Sequence, residues 1–235
     1  MAEAATRRAA RGTGRRKYDP EGTRTNIIAV AMKEFAENGL SGARIDEIAA
    51  KTRTSKRMIY YYFGDKAGLY RHVLESAYGR VRTGEAALRL DDLPPDEALR
   101  RLVDFTFTHH SANPDFIRLV MIENIHHGKY LAESATIEKL NADAIEHIAR
   151  IYRAGTAQGL FREGLQPLEL HWLISALSFF NVSNRATFTT IFGASLHRSE
   201  AQAGLKRHAI EMVLRFVLRP HLIDPPPRPG ALNPT

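Results

Sequence analysis

At 235 residues, with 44% hydrophobic and 25% charged side chains, the chain is long enough to bury one large core or two smaller ones. It has no cysteine, which excludes disulfides, thiolate metal sites and cysteine nucleophiles. The formal charge of +7 is unevenly placed: residues 1–80 hold 16 Lys and Arg against 9 Asp and Glu, whereas residues 81–235 hold 17 against 17.

A surplus confined to the first third is the footprint of a polyanion binder, with a merely solubilising basic end as the plain alternative. No apolar run approaches the roughly 20 residues that span a bilayer. The N-terminus lacks a secretory apolar segment, so a cytoplasmic protein with no membrane partner is expected.

Residues 1–18 are basic and without apolar periodicity, and are expected to be a disordered tail. Asp19 is a natural N-cap and Pro20 suits a first helical position. Ile28, Ala31, Met32 and Phe35 then make an apolar stripe that "NGL" ends, with Gly39 free to take positive φ. "RIDEIAAKT" reads as a short helix with Ile45, Ile48 and Ala49 inward. Ser55 caps a second short helix, Lys56 to Phe63, and Asp65 a longer one through "GDKAGLYRHVLESAYGRV". Two short helices joined by a tight turn and braced by longer ones describe a helix-turn-helix, whose second short helix enters the DNA major groove.

On that second helix Ile59 and Phe63 pack inward with Tyr62 at their margin, while Arg57, Tyr60 and Tyr61 share the outward face. Arginine can donate to a guanine edge or to phosphate, and a tyrosine hydroxyl can donate to phosphate while its ring packs on sugar or a thymine methyl. Lys56 sits at the helix N-terminus, where the dipole also favours phosphate, and Arg44 and Lys66 flank it as clamps. The competing reading is a core helix with a polar surface, but three adjacent tyrosines cannot all be buried on one face.

"IAAKT", Ser55 and "IYYYFGDKAGLY" at this spacing resemble the tetracycline-repressor (TetR/AcrR) family of bacterial transcriptional regulators, over roughly residues 20–75. The resemblance implies backbone and groove contacts at Tyr60, Tyr61, Tyr62 and Lys66, base reading around Lys56, Arg57 and Met58, a phosphate contact near Arg44, and a homodimer. Ala43 stands where the family often has a capping threonine, Arg53 where it has a turn glycine, Thr54 where it has valine, and Arg57 at a frequent glycine.

The remaining chain is helical in texture, which makes the fold class all-α. Ala98, Leu102, Phe105 and His109 form one stripe, Pro114 opens "DFIRLVMIENIHHG", and Leu140, Ala144, Ile148 and Ile151 mark a long helix. "PLELHWLISALSFFNVSN" is apolar through Trp172, Ala176 and Phe179 and again through Leu173, Leu177 and Phe180. "GLKRHAIEMVLRFVL" pairs Leu205, Ala209, Met212 and Phe216 with Ile210, Leu214 and Leu218. A helix apolar on two faces is covered on both. A second copy is the economical cover, with Leu173, Leu177, Phe180, Ile210, Leu214 and Leu218 as the expected interface; a larger internal core is the rival.

The pairs His109–His110 and His126–His127, with His147 and His171, invite a metal reading, but adjacent helical residues diverge by about 100° and no HExxH spacing occurs. No catalytic residue, metal site or cofactor is expected. A small-molecule pocket fits better, with Phe105, His109, Phe116, Met121, Glu123, Asn124, His127, Trp172 and Phe179 as candidates and Tyr152 and Asn181 as weaker ones. For each of these the rival is an ordinary core position.

The chain thus divides into the basic tail (1–18), a helix-turn-helix domain (19–64), a connecting helix (65–83), a helical ligand-binding and dimerisation domain (84–222) and a disordered proline-rich tail (223–235). The function expected is a dimeric repressor on a palindromic double-stranded operator, released by a small molecule, with the basic tail adding affinity. An activator or ligand-independent regulator uses the same reading head. A helical enzyme or carrier with a solubilising end is the remote alternative.

Overall fold

The computed structural model describes residues 19–223, so the expectations for residues 1–18 and 224–235 lie outside the described residues. Among the described residues twelve α-helices follow one another, and none is long and apolar enough to cross a membrane.

Helix α1 (Pro20–Gly42) opens on Asp19, whose carboxylate accepts the Gly22 N–H at 3.0 Å. It breaks at Gly39, where φ is +68°. Helix α2 (Ile45–Thr52) has no side-chain cap of its own, because Arg44 occupies the N-cap. The buried Glu34 of α1 supplies the acceptor instead: Oε1 takes the Arg44 N–H at 3.3 Å and the Asn38 amide at 3.0 Å, and Oε2 takes the Lys51 ammonium at 3.0 Å. One carboxylate therefore satisfies an orphan donor at the start of α2 and a cation in its last turn. Burial pushes the Glu34 carboxyl up, but Lys51, the Arg44 N–H and Asn38 outweigh it and hold the group below its usual range.

The turn after α2 places Arg53 in the left-handed region, φ +54° and ψ +38°, at the position where the sequence pattern sets a glycine. Ser55 caps α3 (Lys56–Phe63) by accepting the Met58 N–H, and Asp65 caps α4 (Lys66–Ala87) by accepting the Gly68 N–H at 2.6 Å. Helix α4 runs four residues past the expected end of the connecting helix at 83.

A 3₁₀ turn (Leu90–Asp92) leads to α5 (Pro95–Ala112), α6 (Pro114–Ile125), the single turn α7 (Lys129–Ala132) and α8 (Ala135–Ala157). Helices α9 (Pro167–Ser183), α10 (Arg185–Phe192), α11 (Ser199–Val217) and the short α12 (Pro220–Ile223) complete the fold. Helix α10 carries no signal at its start, because Asn184 ends α9 and begins α10 with neither Gly nor Pro between them.

Two apolar clusters hold these helices. The first joins Ile27, Phe35, Ile48, Ile59, Phe63, Leu69 and Val73 of α1–α4 to Phe116, Ile117 and Leu119 of α6 and Ile137 of α8. The second packs α5, α8, α9 and α11 around Phe161, Leu170, Ile174 and Val213. Phe161 fits because residue 155 is glycine: a Cβ there would lie 2.0 Å from the ring. Tyr152 is structural, its hydroxyl donating to the Arg162 carbonyl and accepting the Leu165 N–H. Asn181 likewise exchanges hydrogen bonds with Gln202.

Candidate nucleic-acid interface and ligand cavity

Helix α3 buries Ile59 and Phe63 and turns Arg57, Tyr60 and Tyr61 outward; Tyr61 is 79% exposed and Tyr60 43%. Tyr62 is half-buried, its ring 5.5 Å edge-on from that of Tyr61. Met58 is half-buried behind Arg57, and Ser55 is exposed at the N-cap. The flanking cations are held differently. Lys56 forms an ion pair with Asp46 of α2, and Lys66 donates to the Ser41 carbonyl at 3.1 Å. The side chain of Arg44 is exposed beside them. The result is a set of cations and phenol hydroxyls on the eight-residue α3, flanked by Arg44 at the start of α2 and Lys66 at the start of α4, a chemistry that suits a groove lined with phosphate.

The larger cavity, about 600 Å³, lies between α4, α5, α6, α8 and α9. Of the nine expected pocket residues, Phe116, Asn124, Trp172 and Phe179 line it. Five do not. Phe105 fills the space over Gly84, where a Cβ would lie 2.5 Å from its ring, and His109 lies against it at 5.5 Å between ring centres. Met121 and His127 face solvent. Glu123 is buried, but its Oε2 accepts the Tyr130 and Leu131 N–H groups at 3.2 and 3.1 Å, which makes it the anchor of α7. It also helps burial push the neighbouring Tyr70 phenol up.

His147 of α8 and His171 of α9 line the cavity, and of the α5 pair the one that lines it is His110, one position and about 100° round the helix from His109. Thr106 and Leu102 below it complete that stripe. Tyr78, Arg82 and Glu85 of α4 form another wall and His171 of α9 a third. Arg82 and Glu85 form an ion pair with both side chains largely buried. Burial, with the neighbouring His109 and then Arg82 for His110 and with Arg82 for His171, pushes both rings down to about 4, so both are neutral near pH 7. The three-and-four spacing of Tyr78, Arg82 and Glu85 was the available signal for that wall.

The expected dimer face is corrected in part. Ile210 and Leu214 are buried in their own chain's second core, and Leu218 is half-buried, in an isolated β-bridge with Phe161. Leu173 and Leu177 are half-buried, whereas Phe180 is 52% exposed, Met212 58% and Trp172 67%. A groove of about 230 Å³ between α9, α10 and α11 is lined by Leu177, Phe180, Phe188, Leu196, Leu205 and Met212.

Two sequence-family models match this arrangement. The first, "Bacterial regulatory proteins, tetR family", covers residues 27–73, and the second, "Tetracyclin repressor-like, C-terminal domain", covers residues 95–213. The chain belongs to the TetR family of bacterial transcriptional regulators. Among TetR relatives it is 35% identical to the HTH-type transcriptional repressor NicS of Pseudomonas putida, over 89% of this chain and 99% of that one. It is 32% identical to the HTH-type transcriptional repressor SCO4008 of Streptomyces coelicolor, over 68% and 78%. The solved structure of the transcriptional regulator SCO4942 from Streptomyces coelicolor superposes with a TM-score of 0.65 at 25% identity, covering 84% of this chain and 99% of that chain. That of the fatty acid degradation regulator FadR from Bacillus halodurans gives 0.66 at 18%, covering 84% and 96%, a likeness of fold. Helices α1 to α3 are therefore the helix-turn-helix of a DNA-binding TetR regulator, and the resemblance seen at residues 20–75 extends through the C-terminal helices.

Proposed function

We propose that this protein is a cytoplasmic homodimeric repressor that binds a palindromic operator through α3 and leaves it when a small molecule enters the cavity. The observation that carries this reading is shared structure: Val81 and Phe116 belong both to the cavity wall and to the core that holds α1–α4. A ligand that pushes on either residue pushes on the base of the reading head. Two heads fixed by a dimer must match the half-site spacing, so a small tilt of α4 is enough to lower affinity.

In this reading Arg57 and Met58 address base edges, while Arg44, Lys56, Lys66 and the three tyrosines hold phosphates and sugars. The dimer forms on the open apolar face that runs through Phe180 and Met212. Recovery and sequencing of genomic fragments bound at about 150 mM salt tests the reading, because phosphate-only binding is suppressed there. One enriched palindrome is the expected outcome. Uniform recovery would overturn it.

A further inference from the structure

The cavity holds more polar chemistry than its apolar walls need. His110 is only 7% exposed and lines the cavity; its Nδ1 makes no well-formed hydrogen bond, the Thr106 backbone one turn back on α5 being in poor geometry for it. Arg82 lines it too; Glu85 takes its Nη1, and its buried Nε has no acceptor. Buried donors left without partners cost free energy until an acceptor arrives. Burial keeps His110 and His171 neutral, with the charges of His109, for His110, and of Arg82, for both, adding to it. The rest of the lining carries aromatic surface, namely Phe116, Phe179 and the exposed Trp172, with Tyr78 one turn from Arg82 on α4.

We infer that the cavity takes an aromatic carboxylic acid, its carboxylate set against Arg82, His110 and His171 and its ring system between Phe116, Phe179 and Trp172. An anion is the ligand charge that supplies acceptors to Arg82 and to a histidine at once. Charge-assisted bonds to guanidinium in a water-poor site are the strong ones. A volume of about 600 Å³ accommodates two fused rings. A cation would meet Arg82 in place, a neutral amide would offer a weaker acceptor, and a carboxylate must sit on the Nε side of Arg82, away from the paired Glu85. This assignment rests on the cavity being the inducer site proposed above.

The test is isothermal titration of the full chain with three probes of one shape: 2-naphthoate, 2-naphthamide and 2-naphthylmethylamine. The acid should bind at least tenfold tighter than the amide, and the amine weakest. The double variant Arg82→Gln, Glu85→Gln, which removes both charges while leaving a polar amide at each position, should shrink the acid's advantage below threefold. Equal or tighter binding of the amide or the amine overturns the inference, as does binding of none of the three. Operator release is measured with the same probes. Release by the amide or the amine would end the anion assignment and leave the repressor reading standing, whereas loss of any sequence preference in DNA recovery would end the reading itself.

Discussion

Glu34 and Lys51 meet at 3.0 Å across the α1–α2 interface, one side chain buried and the other half in water. The same carboxylate accepts the Arg44 N–H, so removing its charge loosens both ends of α2. Glu34→Gln should destabilise the protein by about 1–3 kcal/mol. Because the folded-state acidity of Glu34 is raised, its contribution is present above pH 4.5, the ordinary value, and disappears as pH falls through its lowered folded value. Urea unfolding of the two proteins should show a gap at pH 7 that closes toward pH 3. A gap that is constant with pH would mean the charge is irrelevant.

Arg53 sits at φ +54° without the freedom of glycine. Arg53→Gly should stabilise the fold by about 0.5–1 kcal/mol, the relief of left-handed strain being partly offset by a more flexible unfolded chain. Denaturation midpoints would reveal it. A loss of stability would show that the Arg53 side chain contributes something beyond its backbone conformation.

Arg57 and Arg44 should fail in different ways. Arg57→Ala should cost about 1–3 kcal/mol on the operator and little on random DNA, if it reads a base. Arg44→Ala should weaken both equally and reduce the salt slope by about one. Fluorescence anisotropy across a salt series separates the two, and identical behaviour would remove Arg57 from base reading.

The reading head was legible because its signals are local. Asp19, Ser55 and Asp65 each cap the helix they precede, and three tyrosines in a row cannot share one buried face. The cavity was half legible. Phe116, Asn124, Trp172 and Phe179 were found from apolar periodicity. His109 was preferred to His110, and periodicity does not tell which neighbour covers which side of a wide buried helix such as α5. Helix α4 reads from sequence as a connector: the three-and-four spacing of Tyr78, Arg82 and Glu85 marks a shared face, but not that the face walls a cavity. Ile210 and Leu214 lie inside and not on the expected outer face because two apolar stripes are visible in sequence, but their order from core to surface is not.

Phe180 and Met212 should govern assembly. Phe180→Asp or Met212→Asp places a charge on an open apolar face, and either should leave the chain folded while shifting sedimentation to the monomer. Operator affinity should fall at least tenfold with the loss of the second head. Unchanged sedimentation for both would place the interface elsewhere.

Phe116, Ile117 and Leu119 of α6, which packs against α1, belong to the same core as Ile59 and Phe63 of α3. The DNA-reading end is consequently a tenant of a larger building. Cut away after α4, it would carry an open wound of aliphatic surface where α6 had been, and it should clump or unravel in place of binding DNA. Evolution can exchange such a head between regulators only together with the helix that closes it.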